Sequence, residues 1–142
     1  MKVLLDDVEP SLLEQEVDAD VPRILILEDY PPLRRVLTAL LQRAGYRVAL
    51  AHTARETLQM LGQHIYDVLV MDMDSAKGDG WRVIRVLQAA PRHLPVVVLL
   101  SPQSHWVCSV MTLGVQTVLY KPVGRQVLLK GIETSLTAQD NG

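Results

Sequence analysis

The sequence predicts a doubly wound α/β domain, in which a parallel five-stranded sheet alternates with five helices packed on both of its faces. Three observations predict it. Short aliphatic runs recur along the chain, each bounded by turn residues. The stretches between them place apolar residues at helical spacing, so strands and helices alternate, which requires right-handed crossovers and a three-layer domain. Several runs end on a charged residue, at the sheet edge where open α/β folds place their sites.

The first strand is Ile24-Leu25-Ile26-Leu27, ending in Glu28-Asp29. Tyr30-Pro31-Pro32 breaks it and starts a helix, since Pro is favoured in a first turn. Leu33, Val36, Leu37, Leu40 and Leu41 carry that helix to about Ala44, where Gly45 caps it. Arg47 to Leu50 is the second strand. Thr53 caps a second helix that Gly62 ends. Val68-Leu69-Val70-Met71 is apolar throughout, the pattern of a strand buried on both faces, and it stops at Asp72. Asp-x-Asp-Ser-x-x-Gly-Asp-Gly follows, which is turn chemistry, and a third helix spans about Trp81 to Ala89. Pro95 to Leu100 is the fourth strand and the most apolar segment. Ser104 to Leu113 reads as a fourth helix stopped by Gly114. Thr117 to Tyr120 is the fifth strand, ending at Lys121-Pro122, and a last helix covers about Arg125 to Leu136.

Length and composition set the class. One domain is expected from 142 residues, with 49% apolar and 21% charged residues typical of a soluble globular chain. The chain holds no Phe, so the core must be aliphatic. A net charge of -2 gives no basic footprint for direct nucleic-acid binding. No apolar run reaches the roughly 20 residues of a membrane span, the acidic start is not a signal peptide, and one cysteine suits a reducing compartment. A cytoplasmic location is expected. Residues 1–20 hold seven of the sixteen acids against the single base Lys2, which predicts a solvated acidic extension over 1–21, with a short helix over Ser11 to Val17 as the alternative. Val3 to Asp7 imitates the strand and acid pair at 24–29, but only Asp29 lies one helix length before Gly45. The domain itself is expected over 22–138, with a tail at 139–142.

Three strands deliver charged groups to their carboxyl ends: Glu28 and Asp29, Asp72, and Lys121. Converging carboxylates repel unless a cation lies among them, and an all-oxygen donor set suits Mg²⁺ better than zinc. Lys121 supplies a positive charge able to hold an anion beside that metal. Carboxylates, Mg²⁺ and a lysine suit phosphoryl chemistry, and one carboxylate can serve as the nucleophile, forming an aspartyl phosphate.

As a set, ILILED at 24–29, GYRV at 45–48, DVLVMD at 67–72, GDG at 78–80, LPVVVLL at 94–100 and LYKPV at 119–123 resemble the receiver domains of two-component response regulators over residues 22–138. The resemblance implies a flavodoxin-like sheet with strand order 2-1-3-4-5. It implies Asp72 as phosphoacceptor, with the phosphoryl group donated by a histidine kinase or phosphotransfer protein. It implies Mg²⁺ held by Glu28, Asp29, Asp72 and the backbone carbonyl of Asp74, and Lys121, before a cis proline bond, contacting the phosphoryl group. An enzyme in the ordinary sense is not implied, only self-phosphotransfer and autodephosphorylation.

The chain departs from that pattern. Leu100 stands where receivers carry Thr or Ser, with Ser101 able to serve if the strand shifts by one residue. Val118 replaces an aromatic, Tyr120 lies next to the lysine, Asp74 adds a carboxylate, and Ala76 stands where Pro is frequent. Phosphorylation chemistry is therefore expected to be intact and the hydroxyl-to-aromatic relay altered. A degenerate receiver acting as a phosphorylation-independent interaction module is the alternative. The Asp72-x-Asp74 echo of haloacid-dehalogenase-like phosphatases fails on order, because there the motif lies on the first strand.

The remaining groups have structural readings. Asp67 ends a loop, Asp79-Gly80 forms a turn with an N-cap, and His52, His64, His93 and His105 show no ligand spacing. Cys108 is expected to be a small packed residue. Trp106, Val107, Val110 and Met111 cannot all face a sheet, so this segment either lies deep or forms a homodimer or output surface together with the fifth strand and the last helix. Within these 142 residues no output domain follows, which leaves a stand-alone regulator or a fragment of a longer protein.

Overall fold

The computed structural model describes residues 20–75, 79–90 and 92–141, with side chains to residue 138. The expected acidic extension lies almost wholly outside the described residues. The elements run β1 (Arg23–Leu27), α1 (Pro31–Arg43), β2 (Arg47–Ala51), α2 (Ala54–Gln63), β3 (Val68–Asp72), α3 (Gly80–Ala89), β4 (Val96–Leu100), a 3₁₀ turn (His105–Cys108), β5 (Thr117–Tyr120) and α4 (Arg125–Asn141). All five strands are parallel in the order β2-β1-β3-β4-β5.

Alternation along the strands builds two cores, because successive side chains leave a strand on opposite faces. Leu25, Leu27, Leu69, Met71, Val98 and Leu100 share one face with Val83 and Ile84 of α3. Ile24, Ile26, Val68, Val70, Val97 and Leu99 share the other with Leu37 and Leu41 of α1 and Leu128 and Ile132 of α4. Every residue of β3 is buried, so Asp72 at its end carries a carboxylate to the rim of an otherwise apolar strand. The register pairs Leu27 with Met71 and Asp72 with Leu99, which brings the ends of β1, β3 and β4 to one edge.

Among the described residues four α-helices form rather than five. The segment expected as a fourth helix is a single 3₁₀ turn followed by further turns up to Gly114. Its backbone bonds alternate between partners three and four residues back: Ser109 to Trp106, Val110 to Trp106, Leu113 to Ser109 and Gly114 to Met111. Val107, Cys108, Ser109, Val110 and Thr112 are weak helix formers, so packing decides the path. Val110 and Leu113 are buried, Trp106 and Val107 pack half-buried against the core, and Met111 stands 72% exposed.

Smaller expectations also shift. Cys108 is exposed rather than packed, because the 3₁₀ turn points it outward. Gly62 does not end α2, which continues to Gln63 before His64 turns extended. Residues 139–141, expected as a tail, continue α4. Asp79 occupies the N-cap of α3 without capping it, since its carboxylate bonds the Arg82 side chain at 3.3 Å. Thr53 does cap α2, accepting the Glu56 N–H at 3.0 Å. Gly45 and Gly114 take positive φ (98° and 81°), as the stops after α1 and the turn segment require.

Candidate functional site

The carboxyl edge of the sheet gathers Glu28, Asp72, Asp74, Ser101 and Lys121, with Asp29 and Ser75 to one side. Asp72 is buried, 3% exposed, and both of its oxygens are engaged. Oδ1 accepts the Asp74 N–H at 2.9 Å, and Oδ2 accepts from Lys121 Nζ at 2.6 Å. Lys121 reaches it because the Lys121 N–H bonds Leu100 O at the end of β4, and the following Lys121–Pro122 peptide is cis. Burial alone would lower the lysine pKa, but the Asp72 and Asp74 carboxylates outweigh it and raise it above its ordinary value.

Glu28 is fully buried. Its Oε1 accepts the Tyr30 N–H at 3.0 Å, whereas Oε2 faces the site with no donor. Burial, and next the Asp72 carboxylate beside it, push its pKa up to about 8. A buried pair of carboxylates with one unpaired oxygen is stable only if a proton or a cation lies between them. The oxygen-only donors therefore fit a hard divalent cation such as Mg²⁺. Asp29, the other half of the acid pair, points to Ser75: the Ser75 hydroxyl donates to its Oδ1 at 2.7 Å and accepts its N–H at 3.1 Å. Among the described residues no three such acids form a ready-made cation cage, so the fit rests on the Glu28–Asp72 pair.

Asp74 lies against the other end of Lys121. Its Oδ2 accepts the Ser101 N–H at 2.8 Å and stands 3.4 Å from Lys121 Nζ, and the Ser104 hydroxyl lies near the same carboxylate. Burial opposes its ionisation, yet those hydrogen bonds and the lysine charge hold its pKa below the ordinary value. The Ser101 hydroxyl itself is turned away, 3.0 Å from Gln103 Oε1. Leu100 is buried at the end of β4 with no polar atom to offer, Val118 packs half-buried against the core, and Tyr120 is 50% exposed. Ser75 and Ser104 were not singled out by sequence. Both sit in turn-forming stretches, where a serine reads as local backbone chemistry.

A parallel sheet of this order, with an acid pair after β1, an aspartate ending β3 and a lysine ending β5, matches the family model described as the response regulator receiver domain over residues 24–133. The chain belongs to that receiver family. Among relatives, the virulence transcriptional regulatory protein PhoP of Salmonella typhimurium is 36% identical over 77 residues, covering 54% of this chain and 34% of PhoP. The sensory/regulatory protein RpfC of Xanthomonas campestris is 32% identical over 114 residues, 75% of this chain and 15% of RpfC. This chain thus matches about a third or less of those relatives' length. A sensor protein from Polaromonas superposes with TM-score 0.74 at 27% identity, covering 83% of this chain and 98% of that one. The receiver domain of a Pseudomonas aeruginosa sensor histidine kinase, solved with magnesium coordinated in its active-site cleft, superposes at 0.76 with 25% identity, covering 82% and 98%. Receiver domains are signalling modules of two-component systems rather than enzymes in the ordinary sense. No described helix is long and apolar enough to cross a membrane.

Proposed function

We propose that this receiver accepts a phosphoryl group on Asp72 from the phosphohistidine of a kinase or phosphotransfer protein. The observation that carries the reading is the Asp72 carboxylate, buried at the strand end, 2.6 Å from Lys121 Nζ and beside the orphaned Oε2 of Glu28. An oxygen of Asp72 attacks phosphorus and forms the acyl phosphate. The donor's P–N bond breaks, and the leaving imidazole keeps the electron pair and takes a proton. Lys121 then shifts its charge from the carboxylate to a phosphoryl oxygen, which stabilises the charge spread over the phosphoryl oxygens as the bonds exchange. Glu28, Asp72, Asp29 and the Asp74 carbonyl would hold Mg²⁺, which when bound neutralises charge on the phosphoryl oxygens. Ser101 offers its backbone N–H rather than its hydroxyl.

The Trp106 segment, β5 and α4, which expose Met111, Tyr120 and Val127 respectively, carry the surface proposed for a second copy or an output partner, in an expected cytoplasmic setting. The phosphoryl reading is tested by intact mass after incubation with Mg²⁺ and a small phosphodonor. One phosphoryl adduct is expected, lost in Asp72→Ala and on chelation. An adduct that persists in Asp72→Ala would refute the assignment.

A further inference from the structure

Two donors at the mouth of the site already have an anion on them, and a third lies beside it. The Ser101 N–H bonds Asp74 Oδ2 at 2.8 Å, Lys121 Nζ stands 3.4 Å from the same oxygen, and the Ser104 hydroxyl lies near enough to help lower the pKa of the same carboxylate. A backbone N–H, a hydroxyl and an ammonium around one oxyanion make up the donor set that a phosphoryl oxygen needs. Asp74 lies two residues beyond Asp72, and its own N–H bonds Asp72 Oδ1 at 2.9 Å, so its carboxylate is anchored within reach of any group joined to Asp72. Its side chain is about one quarter exposed, which leaves it room to swing out.

We infer that Asp74 is an internal anion that occupies the phosphoryl-binding donors of the unmodified domain and must release Ser101 and Lys121 before Asp72 can keep a phosphoryl group. The side chain is a competitive latch on the site. It sets how strongly an incoming phosphoryl donor must bind and does not take part in bond exchange. Release also carries outward. Ser104 caps the 3₁₀ turn by accepting the Trp106 N–H at 3.1 Å, so the serine beside the Asp74 carboxylate is the one that orders the Trp106 turn. This route does not need the hydroxyl that Leu100 lacks.

The inference rests on Asp72 being the phosphoacceptor, and the experiment separates the two. The full chain, Asp74→Asn and Asp74→Ala are incubated with Mg²⁺ and rising acetyl phosphate, and adduct growth is followed by intact mass with Asp72→Ala as blank. At low donor, Asp74→Ala is expected to react at least about fivefold faster, the loss of one charge-assisted contact being ample for that. Asp74→Asn, which keeps an acceptor for Ser101 but offers Lys121 no charge, falls between. The gain appears in the half-saturating donor concentration and not in the limiting rate, a split that a purely structural role would not produce. An adduct on the unsubstituted chain that grows as fast as on both variants overturns the latch and leaves Asp72 standing. No adduct on any of the three overturns the phosphoacceptor reading and the latch with it. The Ser101 amide resonance gives a second readout that does not depend on how the variants fold. It must move when the unsubstituted chain is phosphorylated, and a stationary resonance on a phosphorylated chain refutes the latch.

Discussion

Lys121 Nζ lies 2.6 Å from Asp72 Oδ2, and this pair joins the end of β5 to the end of β3 across the intervening β4. Asp72 is almost fully buried while Lys121 keeps 27% of its side chain exposed, so the ion pair is held from the aspartate side. Lys121→Ala leaves a buried carboxylate whose remaining hydrogen-bond donor among the described residues is the Asp74 N–H. A loss of about 1–3 kcal/mol in urea unfolding is expected, because an orphaned buried acceptor costs its desolvation. Adduct formation on Asp72 should fall about a hundredfold by intact-mass kinetics, the scale for removing one preorganised oxyanion donor. Unchanged kinetics would remove Lys121 from the site.

Glu28 makes stability depend on pH with a defined sign. Its folded pKa of about 8 lies above the ordinary 4.5, so between these values the native state holds a proton that the unfolded chain has lost. Stability therefore falls as pH rises from about 5 to 8, with a slope of at most about 1.4 kcal/mol per pH unit. The depressed Asp74 acts at the acid end of the scale and the raised Lys121 at the alkaline end, which leaves this window to Glu28. Chelated protein, unfolded by urea across pH 5–9, should show that decline. Glu28→Gln should flatten it and be the more stable protein at pH 8.5.

The fold was legible because its signals are local. Two-sided burial of β3 follows from four consecutive aliphatics, and the Thr53 cap and the Gly45 and Gly114 stops follow from side-chain and φ requirements at single positions. The helix expected over Ser104 to Leu113 failed because apolar spacing there was not backed by propensity: β-branched and short polar residues let the chain bury Val110 and Leu113 through mixed turns. The candidate site was legible as charged residues at strand ends. Its hydrogen bonding was not, since Ser75 meets Asp29 across 46 positions and Asp74 meets Ser101 across 27, contacts that only the assembled sheet creates.

Ser75 is 7% exposed and makes both of its bonds to Asp29, one as donor and one as acceptor. Ser75→Ala removes both and leaves the Asp29 carboxylate without its short contact beside the site. A destabilisation of about 1–2 kcal/mol is expected from a lower urea midpoint at unchanged slope. A shift smaller than the error of the midpoint would mean that water replaces the hydroxyl at no cost.

Ser104 offers a test of the turn that replaced a helix. Its oxygen accepts the Trp106 N–H and its hydroxyl lies near the Asp74 carboxylate, so one side chain sits between the Trp106 turn and the edge of the sheet. Trp81 would obscure the signal, and its ring lies under Arg82 with the guanidinium 4.8 Å from the centroid, so the measurement belongs in a Trp81→Phe background. There Ser104→Ala should cost about 0.5–2 kcal/mol, the range for losing a cap. Trp106, half-buried against the core in the native turn, should become more open to acrylamide quenching and emit further to the red. Asp74→Ala removes only the neighbouring carboxylate and keeps the cap, so it should move the quenching constant in the same direction by a smaller amount. Equal quenching in all three proteins would mean that the core contacts of Val110 and Leu113 fix the turn without Ser104.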